Sequence, residues 1–238
     1  MKGKKDAFTL IELAVVLVIA GLIVAGIAAG FSIVQNAKMR NVIADLQKYQ
    51  TAINVFRTTY DQLPGDSSNA TDYWSTTTSG NDDGWIGYDY FGGSPPSGSA
   101  AENIRMWQHL SLAGIIPGSY TGTGSNHTDL QIGVNAPATA VDNGGFFMMN
   151  WGTADSGRIG NAIGVGGGDS GCATNIFTPA ESQQADIKID DGAPRTAKLW
   201  ICGSSSAAGC FTTAGEVSTY NTNNKSKLCA WHWITRFR

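Results

Sequence analysis

Charge is scarce in this chain. Asp, Glu, Lys and Arg make up 15% of the 238 residues, against about a quarter in ordinary globular domains. A highly charged disordered segment is therefore excluded, and with 42% hydrophobic residues there is ample material for a core. Proline is also sparse, at 7, while glycine reaches 30 without any three-residue period, which excludes a collagen-like repeat. Only 3 histidines and 4 cysteines are present, with no C-x-x-C pair and no ligand spacing among His109, His127 and His232, so a zinc centre is not expected. The net charge of −3 offers no broad basic surface for nucleic acid. The charge that exists is unevenly placed. Residues 1–60 hold seven Lys/Arg against three Asp/Glu, and the remainder hold nine against sixteen.

What the N-terminus does have is a long apolar run. Lys2, Lys4 and Lys5 precede it, and from Leu13 to Phe31 no charged or strongly polar residue appears. Nineteen residues of helix span roughly 28 Å, close to the hydrocarbon thickness of a bilayer. A cleaved secretory signal would have a shorter apolar region followed by a small-x-small site. The preceding lysines predict a cytoplasmic N-terminus, with everything after the span beyond the inner membrane. Glu12 interrupts the start of the run. A carboxylate deep in lipid costs about 2.5–3.5 kcal/mol, so it requires hydration at the interface or a partner.

Ala7-Phe8-Thr9-Leu10-Ile11-Glu12-Leu13 resembles the processing site of type IV pilins and type II secretion pseudopilins. The resemblance implies a leader of residues 1–7, cleavage by a prepilin peptidase between Ala7 and Phe8, and methylation of the new N-terminal Phe8. Ala7 stands where most members have Gly. It further implies that Glu12, the fifth residue of the processed chain, neutralises the N-terminal amine of a neighbouring subunit during assembly. At ~4 Å and an effective dielectric of ~20 that attraction is about 4 kcal/mol before desolvation, and a misplaced subunit would leave both charges unpaired.

The helix is expected to continue beyond the membrane, from about Thr9 to Tyr60. Between Phe31 and Leu63 there is neither Pro nor Gly, and Met39, Val42, Ile43, Leu46, Tyr49, Ile53, Phe56 and Tyr60 recur at three- and four-residue steps. Leu63-Pro64-Gly65-Asp66 ends it. The division expected is residues 8–31 as transmembrane and filament-core helix, 32–63 as amphipathic helix, and 64–238 as a globular body. Gly26 and Gly30 have the G-x-x-x-G spacing that permits close helix packing, although glycine is common in membrane helices in any case.

In the body, Ser99-x-x-Glu102 and Thr178-Pro179-x-Glu181 read as capping boxes opening helices to about Ala113 and Ile189. Strands are predicted over Gly145–Trp151, Ala197–Cys202 and Lys227–Ile234. Leu63–Asp66, Trp107-Gln-His-Leu110 with Ala113–Gly118, and Lys188–Gly192 resemble segments of large prepilin-like proteins. That likeness implies an α+β pilin fold: a long N-terminal helix, transmembrane in its first half, packed on an antiparallel sheet, with a long loop-rich insertion between them. The four cysteines, Cys172, Cys202, Cys210 and Cys229, allow three pairings. The C-terminal disulfide loop common in pilins favours Cys210–Cys229 with Cys172–Cys202, with Cys202–Cys210 across a hairpin close behind.

Enzyme signals are weak. Gly168-Asp169-Ser170-Gly171 matches a serine-protease nucleophile segment, but no Ala-Ala-His-Cys segment accompanies it. Gly164–Gly168 reads as a flexible loop rather than a phosphate cradle. Asp82 and Asp83, with Asp89 nearby, are hard oxygen donors suited to Ca²⁺, though the simpler reading of Asn81–Gly84 is a solvated turn. Asp190-Asp191 reads as a helix-ending turn. Trp74, Trp85, Tyr88, Tyr90 and Phe91 form either a satellite core or an exposed contact patch. Asn69, Asn126 and Asn224 each begin an N-x-S/T sequon.

The function expected is structural rather than enzymatic: a membrane-held precursor that becomes a subunit of a type IV pilus-like filament, in the periplasm or at the cell surface. The alternatives are a type II secretion pseudopilin and a minor pilin acting as a binding or adhesion module. The partners implied are sister subunits, a prepilin peptidase, an inner-membrane platform protein, an assembly ATPase and membrane lipid. No cofactor is required.

Overall fold

Fifty-one consecutive residues, Leu10–Tyr60, form the helix α1. In the computed structural model, residues 9–87, 101–124, 129–151, 160–168, 174–203, 209–214 and 217–235 are described. The chain divides into two compact units, Met1–Arg40 and Asn41–Arg238. In the first, the described part is the apolar half of α1, long and apolar enough to cross a membrane. Val15 to Ile19 are each more than half exposed. At ~100° per residue, five consecutive positions cover the whole circumference, so no face of this segment is buried within the chain.

The second unit is α+β. Its part of α1 buries Val42, Leu46, Ile53 and Phe56 completely, the spacing expected of an amphipathic face, while Ile43 and Tyr60 are half-buried. After the Leu63-Pro64-Gly65 turn come two helices, α2 (Ala70–Tyr73) and α3 (Glu102–Leu112), and then the sheet. The strands are β1 (Gly145–Trp151), β2 (Gly160–Gly166), β3 (Leu199–Gly203), β4 (Phe211–Ala214), β5 (Val217–Tyr220) and β6 (Cys229–Ile234), with α4 (Pro179–Ile189) between β2 and β3. Four strands form an antiparallel sheet in the order β1-β2-β6-β3, and β4 pairs with β5 separately. Helix α1 meets the sheet through Tyr49, edge-on to Phe146 of β1 at 4.8 Å, and through Gln50, which accepts a bond from Trp233 Nε1 of β6 at 2.8 Å. Tyr49 also lies edge-on to Trp107 of α3, which joins helix, helix and sheet in one core.

Two local expectations are corrected. The Gly164–Gly168 run is not simply a loop: Gly164 to Gly166 belong to β2, a fully buried inner strand. Gly164 is dictated by packing. A Cβ on Gly164 would lie 1.8 Å from Cε2 of Phe147, whose ring occupies that space across the β1–β2 pair. Helix α3 is not capped by Ser99, which lies outside the described residues; its N-cap is Ala101, without a side-chain bond, and Glu102 is turned to another task. The capping box of α4 forms as expected, with Thr178 Oγ1 accepting from Glu181 N–H and Glu181 accepting from Thr178 N–H.

Candidate functional site

The N-terminal segment is built around Thr9 and Glu12. Thr9 N–H and Thr9 Oγ1–H both donate to Glu12 Oε2 at 2.8 Å, and Glu12 N–H donates to Thr9 Oγ1 at 3.4 Å. These are the reciprocal bonds of a capping box. The signal, Thr9-x-x-Glu12 before an apolar run, was legible in the sequence but went unread. Glu12 thus starts α1 within its own chain, which is a role distinct from pairing with a neighbour. Ala7 and Phe8 lie outside the described residues. At Gly26 and Gly30 an added Cβ would meet nothing within 4 Å, so no contact among the described residues demands glycine there.

A second constellation lies where the body begins. The backbone of residues 80–84 is laid along Asp66 and Ser67: Gly80 N–H donates to Ser67 O and Asp82 N–H to Asp66 O. A Cβ on Gly80 would fall 2.3 Å from the Asp66 carbonyl carbon, so only glycine permits this approach. The Asp66 carboxylate accepts from Asp83 N–H at 3.1 Å and Gly84 N–H at 2.9 Å. Asp83 accepts from Trp85 N–H and from Asn81 Nδ2. Glu102, at the first turn of α3 and fully buried, accepts from Asn81 N–H at 3.3 Å through Oε1, while its Oε2 has no hydrogen-bond partner among the described residues. One carboxylate oxygen each from Asp66, Asp83 and Glu102 lies within 4.8 Å of the others. Burial, then Asp66 and Asp83, push the Glu102 carboxyl up to about 8 despite the opposing charge of Arg105. Burial pushes Asp66 up to about 6 against the pull of its backbone donors.

Of the acidic residues read from sequence as possible Ca²⁺ ligands, only Asp83 joins this cluster. Asp82 is exposed and accepts from Gln62 Nε2 at 3.2 Å, and Asp89 lies outside the described residues. Asp66 and Glu102, the two buried members, were missed. Their proximity depends on folding 35 intervening residues, and nothing local announces it.

The remaining polar positions serve the fold. His109 has Nδ1 accepting from Gly65 N–H at 2.9 Å and Nε2 beside Thr77 Oγ1 at 3.0 Å, and burial pushes the imidazole down to about 4. This pins the Pro64-Gly65 turn to α3. Residues 169–171 of the protease-like segment lie outside the described residues. Trp74, half-buried, packs with Phe56, Tyr60 and the exposed Tyr73; Trp85 is half-buried, and Tyr88, Tyr90 and Phe91 lie outside the described residues. Cys210 is bonded to Cys229, so the hairpin pairing of Cys202 with Cys210 does not occur. Cys202 is also disulfide-bonded, and Cys172 lies outside the described residues.

Residues 2–28 match the prokaryotic N-terminal methylation motif. No curated protein matches the chain, and no solved structure matches it.

Proposed function

We propose, for a chain that carries the N-terminal methylation motif that is the signature of type IV pilins and pseudopilins, that it is a filament subunit held in the inner membrane as a precursor. It is cleaved after Ala7, methylated at Phe8 and assembled through the apolar half of α1. The observation that carries this reading is the exposure of that half on every side. Leu10, Ile11, Leu17, Leu22, Val24 and Phe31 are each more than half exposed, a surface that water does not tolerate. Lipid covers it before assembly, and the same segments of sister subunits cover it afterwards. Gly26 and Gly30 then have a use that the single chain does not supply, the close approach of neighbouring helices.

In the assembled state Glu12 faces the amine of a neighbour's Phe8. Its capping bonds to Thr9 leave the net negative charge in place, so cap and ion pair coexist on one carboxylate. The lysines before the span place the leader in the cytoplasm and the body outside it. The processing and assembly machinery, a prepilin peptidase, a platform protein and an assembly ATPase, follows from the same reading.

Mass spectrometry of filaments sheared from native cells tests it. Abundant chain beginning at methylated Phe8 identifies a surface filament subunit. The same processed chain confined to the cell envelope identifies a pseudopilin or minor subunit. A chain that still begins at Met1 in both fractions overturns the proposal.

A further inference from the structure

We propose that Asp66, Asp83 and Glu102 form a divalent-cation site and that its ion is Ca²⁺. The inference stands on the geometry of the body alone and is independent of how the N-terminal helix assembles.

The decisive atom is Glu102 Oε2. It belongs to a fully buried residue whose carboxyl group lies in a cluster with two others, and it has no hydrogen-bond partner among the described residues. A buried oxygen without a donor forfeits its hydration with nothing in return. With one oxygen of each within 4.8 Å of the others, ionising all three side chains would also set like charges against one another. A cation removes both penalties at once. The other carboxylate oxygens of the cluster are already oriented: backbone N–H groups of Asp83 and Gly84 hold Asp66, and Trp85 N–H and Asn81 Nδ2 hold Asp83. Each of those bonds uses one lone pair and leaves another for a metal.

The donor set selects the ion. All three ligands are hard carboxylate oxygens, without sulfur or imidazole, which disfavours zinc and copper. Oxygens on one Ca²⁺ sit at 2.3–2.6 Å from it, so two of them stand up to about 5 Å apart, whereas Mg²⁺ at 2.0–2.1 Å holds its ligands within about 4 Å. Mg²⁺ also demands near-ideal octahedral geometry and is usually held by one or two carboxylates, whereas Ca²⁺ takes several in flexible geometry, so three converging carboxylates favour the larger ion. Three segments meet at the ion: the turn after α1, the 80–84 loop and the first turn of α3. Binding would therefore fasten the start of the body rather than a peripheral loop.

The other acidic cluster, Asp186, Asp190 and Asp191, gives no such signal. Its buried member, Asp186, has both oxygens bonded, one by Tyr220 Oη–H and the other by Gly192 N–H.

The test uses the full chain purified in detergent. After EDTA treatment, thermal melts are recorded with and without millimolar Ca²⁺, and Tb³⁺ emission is excited through tryptophan, with Trp85 adjoining the site. The expected result is a Tm higher by about 3 °C or more with Ca²⁺, sensitised Tb³⁺ emission that Ca²⁺ competes away, and loss of both responses in Glu102→Gln and Asp83→Asn. Asp82→Asn retains both. A wild-type chain whose Tm ignores Ca²⁺ and which sensitises no Tb³⁺ overturns the site, whether or not the variants fold. A response that survives in Glu102→Gln places the ion elsewhere and overturns it as well. An equal Tm rise with Mg²⁺ overturns the assignment to calcium.

Discussion

Glu12 holds two bonds from Thr9 and carries the charge proposed to meet a neighbour's amine, and substitution can separate the two roles. Glu12→Gln keeps a group that can complete a capping box but removes the charge. Glu12→Ala removes both, and loss of a cap alone costs about 1 kcal/mol. Both variants are expected to be processed and to stay in the membrane, and both to yield few or no sheared filaments, as quantified by immunoblot. Filaments at wild-type yield in Glu12→Gln would assign the residue to capping alone. Gly164 is a residue-scale constraint of another kind. With the Phe147 ring atoms 1.8–2.4 Å from its absent Cβ, Gly164→Ala forces the ring or the strand to move. The expected loss is about 1–3 kcal/mol in urea unfolding, and Phe147→Leu in the same chain should recover part of it.

At the scale of elements, α4 shows how a helix end is tied into a sheet. Asp186 accepts from Tyr220 of β5 and from Gly192 N–H. Asp190 accepts from Lys198 N–H and Leu199 N–H at the entry to β3. The Asp190-Asp191-Gly192 turn expected from sequence is present, but its work is to join three elements, which the tripeptide does not reveal. Burial raises the Asp186 carboxyl to about 6, above its ordinary 3.8, more than the Tyr220 and Gly192 bonds lower it. A raised carboxyl binds its proton in the folded state first. Its contribution to stability is complete below pH 3.8 and is lost as pH rises through about 6. Asp186→Asn removes that dependence. The difference in Tm between wild type and variant is expected to favour the variant progressively more from pH 4 to pH 7, and to level off above it. A difference that stays constant over that range would contradict the assigned shift.

For the whole molecule, the disulfide Cys210–Cys229 closes a loop across 19 positions and fastens the β4–β5 hairpin to the first residue of β6. A loop of that size is worth about 3 kcal/mol of unfolded-state entropy. The double substitution Cys210→Ser, Cys229→Ser should lower the free energy of unfolding by about that amount in guanidinium titrations, with membrane insertion unchanged. The uneven chemistry of the chain follows its two units: the first carries a segment apolar and exposed on all faces, which the proposed function assigns to lipid and sister helices, while the body buries its apolar residues against itself.

Several features were legible without a structure because their causes are local. The length of α1 follows from an apolar run continued by a 3–4 periodicity and a Pro-Gly stop, and the start of α4 follows from a capping box within four residues. The methylation motif is likewise contiguous. Other features were decided only by tertiary packing. A glycine run reads as a loop until an aromatic ring from the next strand explains it. Four cysteines admit three pairings until the sheet brings Cys210 beside Cys229. Asp66 and Glu102, far apart in sequence, become one buried cluster only when α3 packs against the turn that ends α1. Hydrogen bonds and helical periodicity act over a few residues, whereas the placement of charge in a core depends on which distant segments share that core.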